Sequence, residues 1–523
     1  MKNTSSLLPN ESKSLWLAKE STPTFSSLEE DLNVDVVIVG GGITGINTAY
    51  LLSQENLSIA LIDSGKLCSG TTGHTTAKLT AQHGLIYNDL INSFSEKEAR
   101  LYYEAQSDAM STYERLIKEM NIDCDLEKKD AYIFSDTGEN ADKIVEESQA
   151  YEKLNIKGQL VNELPFNLSV ENALIMENQA QFHPLKYLNH LIREISDQGV
   201  KIFEDTTAVK IDTDSPRPIV HTRNKQRITA AKVIIASHFP FYEGIGLYSA
   251  KMHAERSYVI AAKSKLNKID GMHLGIDSAT RSVRLTKYNG EDILLIGGES
   301  HKAGKETETM KRYKLLEKFG KEVFGIEEIL FRWSTQDLVT VDKLPYIGPL
   351  TSNTNDVLVA TGFRKWGMTN SLVAAKVMKN TITGDVNPYE GLFTPARWKD
   401  HPRVREFAME AGSMATEFIK GKLDHPRDHI SGLEPDQGIH VEIDGQRKGA
   451  YKDTNGEVFI VDTTCTHAGC EVNWNEAERT WDCPCHGSRF TYKGEVFEGP
   501  AEKPLKTHDY KALDNLTSDE SGY

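Results

Sequence analysis

The chain has 523 residues, 39% of them hydrophobic and 26% charged, and its 76 acidic against 60 basic side chains leave a net charge of −16. So acidic a chain is a poor general binder of phosphate backbones, so nucleic acid is not an expected partner. No run of about 18 apolar residues occurs, which excludes a transmembrane helix, and the first residues lack a basic-then-apolar leader or twin arginine, so the expected location is cytoplasmic.

Residues 1–30 are polar, with scattered Ser, Asn and Pro, and are expected to wrap a surface or fray. Val34 to Val39 then form a short β-branched run of the kind that makes a buried parallel strand. The run ends in Gly40-Gly41-Gly42 and passes into a predicted helix, Ile43 to Ser53. Leu57 to Ile62 is a second strand closing in Asp63, which completes a βαβ unit. Ser95-Glu96-Lys97-Glu98 reads as a capping box opening a long amphipathic helix. A further helix is predicted from His183 to Ser196. Strands follow at Val200–Glu204, Val209–Ile211, Lys232–Ser237, Tyr258–Lys263 and Ile293–Gly297. Val357 to Ala360 is a last strand before a helix over Thr369–Lys379. A polar helix, Arg405 to Lys420, lies between His401-Pro402 and His425-Pro426 and reads as a linker. From about Ile430 the texture becomes short strands and turn pairs such as Asp444-Gly445 and Asn455-Gly456, which predicts a small all-β module.

Six cysteines are too few for a disulfide-built fold, but Cys465, Cys470, Cys483 and Cys485 crowd into one short window. Cys465-Thr466-His467, fifteen residues, then Cys483-Pro484-Cys485-His486 offers two thiolates and two imidazoles, a donor set that suits a metal. Zinc is one occupant of such a set. The full text, Cys465-Thr466-His467-Ala468-Gly469-Cys470 and Cys483-Pro484-Cys485-His486-Gly487-Ser488, resembles the two boxes of Rieske iron–sulfur proteins. The resemblance implies a [2Fe–2S] cluster with Cys465 and Cys483 on one iron and His467 and His486 on the other. It further implies a disulfide between Cys470 and Cys485. Neutral imidazoles in place of two thiolates make such a cluster easier to reduce, with potentials from about −150 to +300 mV. Ser488 stands where the family places a hydroxyl donor to a bridging sulfide. Phe490 stands where high-potential members carry Tyr, which predicts a potential below the top of that range. Trp474 and Trp481 read as core rather than electron carriers. Rieske oxygenases lack the cysteine pair and need a separate iron site, so hydroxylation is not expected.

Gly40-x-Gly42-x-x-Gly45 follows a strand, opens a helix and precedes an acid eighteen residues after Gly45. In that context it reads as a dinucleotide fold. Gly40 allows the tight turn, Gly42 lets the backbone reach the diphosphate, Gly45 lets helix and strand approach, and Asp63 accepts from a ribose hydroxyl. Three further segments resemble the glycine/D-amino-acid oxidase (DAO) family of flavoproteins. They are Ser69 to His74 with Thr71 and Thr72, His183 to Val209, and Asp342 to Pro349 followed by Ala360 to Thr369. The amine-oxidising branch related to gamma-glutamylputrescine oxidoreductase looks nearest. The resemblance implies FAD, with Gly362, Trp366, Gly367, Met368 and Thr369 placing a helix N-terminus against the flavin. His74 stands where many members have Arg, and is either a covalent flavin attachment or an ordinary polar loop residue. Arg284 matches a family arginine near the flavin, and either holds a substrate carboxylate or is an exposed structural arginine. Cys68 and Cys124 read as inert thiols.

The expected fold is α/β. A Rossmann-like, DAO-type FAD domain with a substrate subdomain spans 31–395, a helical linker 396–429, an all-β Rieske domain 430–515 and a polar tail 516–523. The expected activity is oxidation of an amine or amino acid at FAD, with electrons passed singly to the cluster and on to an unidentified acceptor. A second Gly-x-Gly-x-x-Gly for a nicotinamide is absent, since Gly244-Ile245-Gly246 lacks the third glycine. The alternatives are a flavin/iron–sulfur relay between protein partners without a dedicated amine substrate, and a sensor whose cluster state alters a binding surface.

Overall fold

A strand apolar on both faces is stable only between neighbouring strands and under two covering layers. The computed structural model describes residues 6–244, 246–265, 269–400, 416, 418, 430–443 and 445–509, and it gives Val34–Val39 that setting. Strand β1 (Leu32–Val39) runs parallel to Arg227–Ile235 on one side and to β2 (Ile59–Ile62) on the other. Beyond β2 lies Lys201–Phe203, and beyond Arg227–Ile235 lie Val357–Thr361 and the antiparallel Tyr346–Pro349. The strand order therefore reverses beside β1, which opens a crevice at its carboxyl end.

The helix after β1 spans Ile43–Ser53, and Ile46, Ala49 and Leu52 are fully buried. Its buried Asn47 is satisfied by the Tyr113 and Tyr187 hydroxyls, each 3.0 Å away, which ties it to two further helices. The first of these, Glu96–Glu119, has the expected capping box: Ser95 Oγ accepts from the Lys97 and Glu98 amides and donates to the Glu98 carboxylate. The second, Pro184–Asp197, starts one residue later than predicted because the His183 ring caps it and Pro184 opens its first turn.

A second, nine-stranded sheet was largely hidden in the sequence. Its edge strand Ile326–Thr340 mixes apolar with polar and charged residues without regular alternation, and Arg332, Ser334, Gln336 and Asp337 are buried by packing from distant parts of the chain. The polar N-terminal segment also holds more than was predicted. A short helix, Leu15–Lys19, buries Leu15 and Trp16 completely, and the Trp16 indole N–H donates to the Thr75 carbonyl at 2.7 Å.

The C-terminal module consists of two four-stranded antiparallel sheets and, among the described residues, no long helix. Gly438 and Gly449 leave room for two tryptophans: a β-carbon there would stand 2.3 Å from the Trp474 ring and 2.6 Å from the Trp481 ring. The two rings are 4.9 Å apart and buried, as expected of core residues. The linker helix predicted over Arg405–Lys420 lies outside the described residues except for Thr416 and Phe418, as do Ile245 and the tail 516–523. The chain divides into two compact units. One comprises Met1–Tyr248, Ser257–Ser300 and Tyr313–Arg403; the other comprises Ser249–Arg256, His301–Arg312 and Val404–Tyr523.

Candidate functional site

The first cradle forms where β1 turns into the helix Ile43–Ser53. Gly40 has φ +118°, and a β-carbon on it would lie 2.4 Å from the Ala236 carbonyl oxygen. At Gly45 a β-carbon would lie 1.9 Å from the Gly40 oxygen, so only glycine lets the helix come this close to the strand. Gly42 occupies the N-cap and lends no side chain to the first-turn amides, of which Ile43 N–H donates to Thr72 Oγ1 at 3.0 Å. Asp63, at the end of β2, accepts from the Gly41 and Gly65 amides at 2.7 and 2.8 Å and keeps part of its surface exposed. Burial raises its pKa, and the two amides work against that rise. A helix N-terminus opened by a glycine N-cap and facing a carboxylate across a glycine turn fits a dinucleotide, diphosphate at the amides and ribose at the acid.

The other expected residues distribute around this unit as follows. Thr71, Thr72 and His74 share one short 3-10 turn, where Thr71 donates to the Gln336 carbonyl at 3.1 Å. The His74 Nδ1–H donates to the Gly70 carbonyl at 2.8 Å, and its own carbonyl accepts from the Trp333 indole at 2.9 Å. Val209 lies in the strand Ala208–Asp212, which forms a hairpin beside the parallel sheet. Gly362, at φ +77°, ends the strand Val357–Thr361. Arg364 and Lys365 also take positive φ before Trp366 caps the helix Gly367–Thr383, which holds Met368 and Thr369 in its first turn.

Sequence reasoning missed the neighbour of that helix start, since a lone histidine carries no motif. His83 stacks on Trp366 at 4.5 Å, accepts from the Tyr102 hydroxyl at Nδ1 and donates from Nε2 to the Thr80 carbonyl. Burial lowers its pKa to about 3, so the imidazole is neutral.

Arg284 lies in the strand Arg281–Tyr288 and is 1% exposed, which corrects the reading of an exposed structural arginine. It donates to the Ala77 carbonyl at 2.7 Å and the Leu285 carbonyl at 3.2 Å, and burial pulls it down to about 9. Lys78 lies close by, donating to the His273 carbonyl at 2.7 Å. Burial, then the Arg284 charge, lowers it to about 7. Neither cation has an ion-pair partner among the described residues.

The second cradle consists of two loops of the C-terminal module built on one plan. In each loop a glycine four residues after the first cysteine takes positive φ (Gly469, +80°; Gly487, +79°), and its amide donates back to that cysteine's carbonyl. Cys465 and Cys483 are thereby buried side by side with free thiols, while the His467 and His486 rings stand 4.9 Å apart. Hydrogen bonding to Cys483 first, with Ser488 contributing, lowers the Cys465 thiol to about 6. Cys483 is pushed up by its ionised neighbour. Burial and then His467 lower His486 to about 4, so its ring is neutral at ordinary pH and keeps one unprotonated nitrogen for a metal. Cys470 and Cys485 form the expected disulfide, and their sulfurs lie within 4.8 Å of the Cys483 sulfur. Ser488 is fully buried and its Oγ accepts from the Ala501 amide at 3.0 Å. Phe490 packs across from Trp481 in the core. Two cysteines and two imidazoles on paired loops, braced by a disulfide for which zinc has no use, fit a [2Fe–2S] cluster.

A glycine cradle at the switch point of a parallel sheet and a two-cysteine, two-histidine cradle in a small β module together define a flavin-dependent oxidoreductase joined to a Rieske iron–sulfur domain. Residues 35–381 match the FAD dependent oxidoreductase (DAO) family, to which the chain belongs, and residues 425–509 match the Rieske [2Fe-2S] domain. Its cofactors are FAD and a [2Fe–2S] cluster. The chain is 46% identical over 494 residues to the Bacillus subtilis (strain 168) protein YhfW, which carries the name of a Rieske 2Fe-2S iron-sulfur protein, covering 94% of this chain and 97% of that one. It is 20% identical over 380 residues to the gamma-glutamylputrescine oxidoreductase of Escherichia coli (strain K12), covering 70% and 87%. The fold resembles the crystal structure of glycine oxidase from Geobacillus kaustophilus with a TM-score of 0.60 at 18% identity, covering 71% of this chain and all of that one.

Proposed function

We propose that the chain oxidises a small amine or amino acid at its flavin and releases the electrons singly through the Rieske domain. The observation that carries this reading is the presence of both cradles in one polypeptide. When bound, FAD accepts a hydride from the carbon beside the substrate nitrogen and the cluster accepts single electrons, so the pair converts two-electron into one-electron chemistry. Gly40, Gly42, Gly45 and Asp63 hold the dinucleotide, with Thr71, Thr72 and Val209 lining its nucleotide end. Gly362, Trp366, Gly367, Met368 and Thr369 aim the amide end of their helix at the ring system, where its partial positive charge favours electron gain. Cys465, Cys483, His467 and His486 hold the two irons.

Arg284 supports an amino-acid substrate. A buried guanidinium without an ion-pair partner among the described residues, beside the half-buried amine of Lys78, suits a carboxylate arriving with the substrate. The Gly70 carbonyl accepts from the His74 Nδ1–H and so fixes the orientation of the ring in its loop. The relatedness to gamma-glutamylputrescine oxidoreductase and the fold of glycine oxidase support CH–NH donors as the substrate class.

Anaerobic titration with a panel of primary amines, amino acids and N-methyl amino acids tests the proposal. At least one of them should bleach the flavin band, followed by the EPR signal of the reduced cluster. Bleaching by protein donors alone would replace the enzyme with an electron relay.

A further inference from the structure

Two stretches inside the span of the oxidase family, Ser249–Arg256 and His301–Arg312, form one compact unit with the Rieske module. They meet the loop of Cys483 and His486 directly. Gly304, at φ +68°, has no room for a side chain: a β-carbon would stand 2.5 Å from the Pro484 nitrogen and 2.6 Å from the Cys483 carbonyl carbon. Its carbonyl accepts from the Asn473 side chain at 2.7 Å. Thr309 Oγ1 donates to Asn475 Oδ1 at 2.7 Å and accepts from the Ala477 amide at 3.1 Å, fastening the same face of the module.

The second contact is ionic. The Arg256 side chain is 0% exposed, and its Nε lies 3.4 Å from Oδ2 of Asp482, the residue before Cys483. Asp482 is buried too, accepting from Asn475 Nδ2 at 2.8 Å and Thr480 Oγ1 at 2.7 Å, with Arg489 Nε 3.4 Å away. A buried pair of this kind adds little net stability, yet removing one partner leaves an uncompensated charge in the interior. The Asn475 and Thr480 hydrogen bonds fix the carboxylate and the buried Arg256 charge lies against it, so the peptide leading into Cys483 is held on both sides. A fixed positive charge beside an iron–sulfur centre also favours its reduced, more negative form.

We propose that Arg256 is a positioning residue for the iron–sulfur site: paired with Asp482 behind the Cys483 loop, and with Gly304 packed on the adjoining peptide, it fixes that loop and raises the electron affinity of the cluster. The oxidase part of the chain thus sets the potential of the centre it feeds. This rests on the reading of Cys465, His467, Cys483 and His486 as the ligands.

Redox titration of the full-length protein with both cofactors loaded, followed by EPR, tests it. Arg256→Met should lower the midpoint potential of the cluster, Asp482→Asn should raise it, and Arg256→Lys should stay at the wild-type value. Opposite signs are the mark of charge, whereas simple damage to the loop moves Arg256→Met and Asp482→Asn the same way. Unshifted potentials in those two, or shifts of one sign, overturn the proposal. If Arg256→Met loses its iron, recovery of iron and spectrum in Arg256→Lys supports the clamp, and loss in Arg256→Lys as well overturns it. A wild-type protein with bound iron but no Rieske spectrum would overturn the ligand assignment instead.

Discussion

The nucleotide cradle and the cluster cradle are made from different parts of the polypeptide. The first is mostly backbone, amides and close approaches gathered from positions as far apart as Gly40 and Thr369. The second is made of side chains, and its four proposed ligands fall between Cys465 and His486. A backbone site depends on empty space, so it is broken by adding atoms. A side-chain site depends on particular donor atoms, so it is broken by removing one.

The contrast is tested most severely by His486→Ala, which deletes one of four donors and adds no bulk. It should abolish the Rieske EPR spectrum and the bound iron while leaving the flavin absorbance intact. The reverse experiment is Gly45→Val, which drives atoms into the Gly40 carbonyl. Flavin content should fall about tenfold or more, with iron retained, as ultraviolet–visible spectra and metal analysis would show. If either variant lost both cofactors together, the two cradles would not be independent.

A subtler difference concerns acid. His83, beneath the flavin-end helix, has a folded pKa of about 3 against an ordinary 6.5. As pH falls, the unfolded chain takes up this proton first, so the stability is fully present above about 6.5 and is lost progressively towards 3. By pH 4 this one group withdraws about 3 kcal/mol. Denaturant melts of the full-length apoprotein should therefore lose stability over that window, and His83→Gln should flatten the profile.

The same contrast explains what was legible. Cys465, His467, Cys483 and His486 could be read because metal chemistry fixes their identity and the loops fix their spacing. The turn from Gly40 to Gly45 could be read because no other residue survives 1.9 Å from a carbonyl oxygen. Arg284 was noticed but its burial was not, since exposure is a property of its surroundings. His83 and Arg256 gave no signal at all, because their partners, Trp366 and Asp482, lie hundreds of positions away in sequence. The strand Ile326–Thr340 was hidden for a related reason: its polar side chains are buried by packing that no local pattern announces.

The sequence by itself determined the two cofactor chemistries, the βαβ start and the β character of the C-terminal module, because each follows from steric or coordination rules acting over a few residues. Only the tertiary structure decided that Ser249–Arg256 and His301–Arg312 pack with the iron–sulfur loops, that Leu15 and Trp16 are core, and which cations are buried. Burial and charge pairing are sums over everything that surrounds a side chain, and those surroundings exist only once distant segments have met.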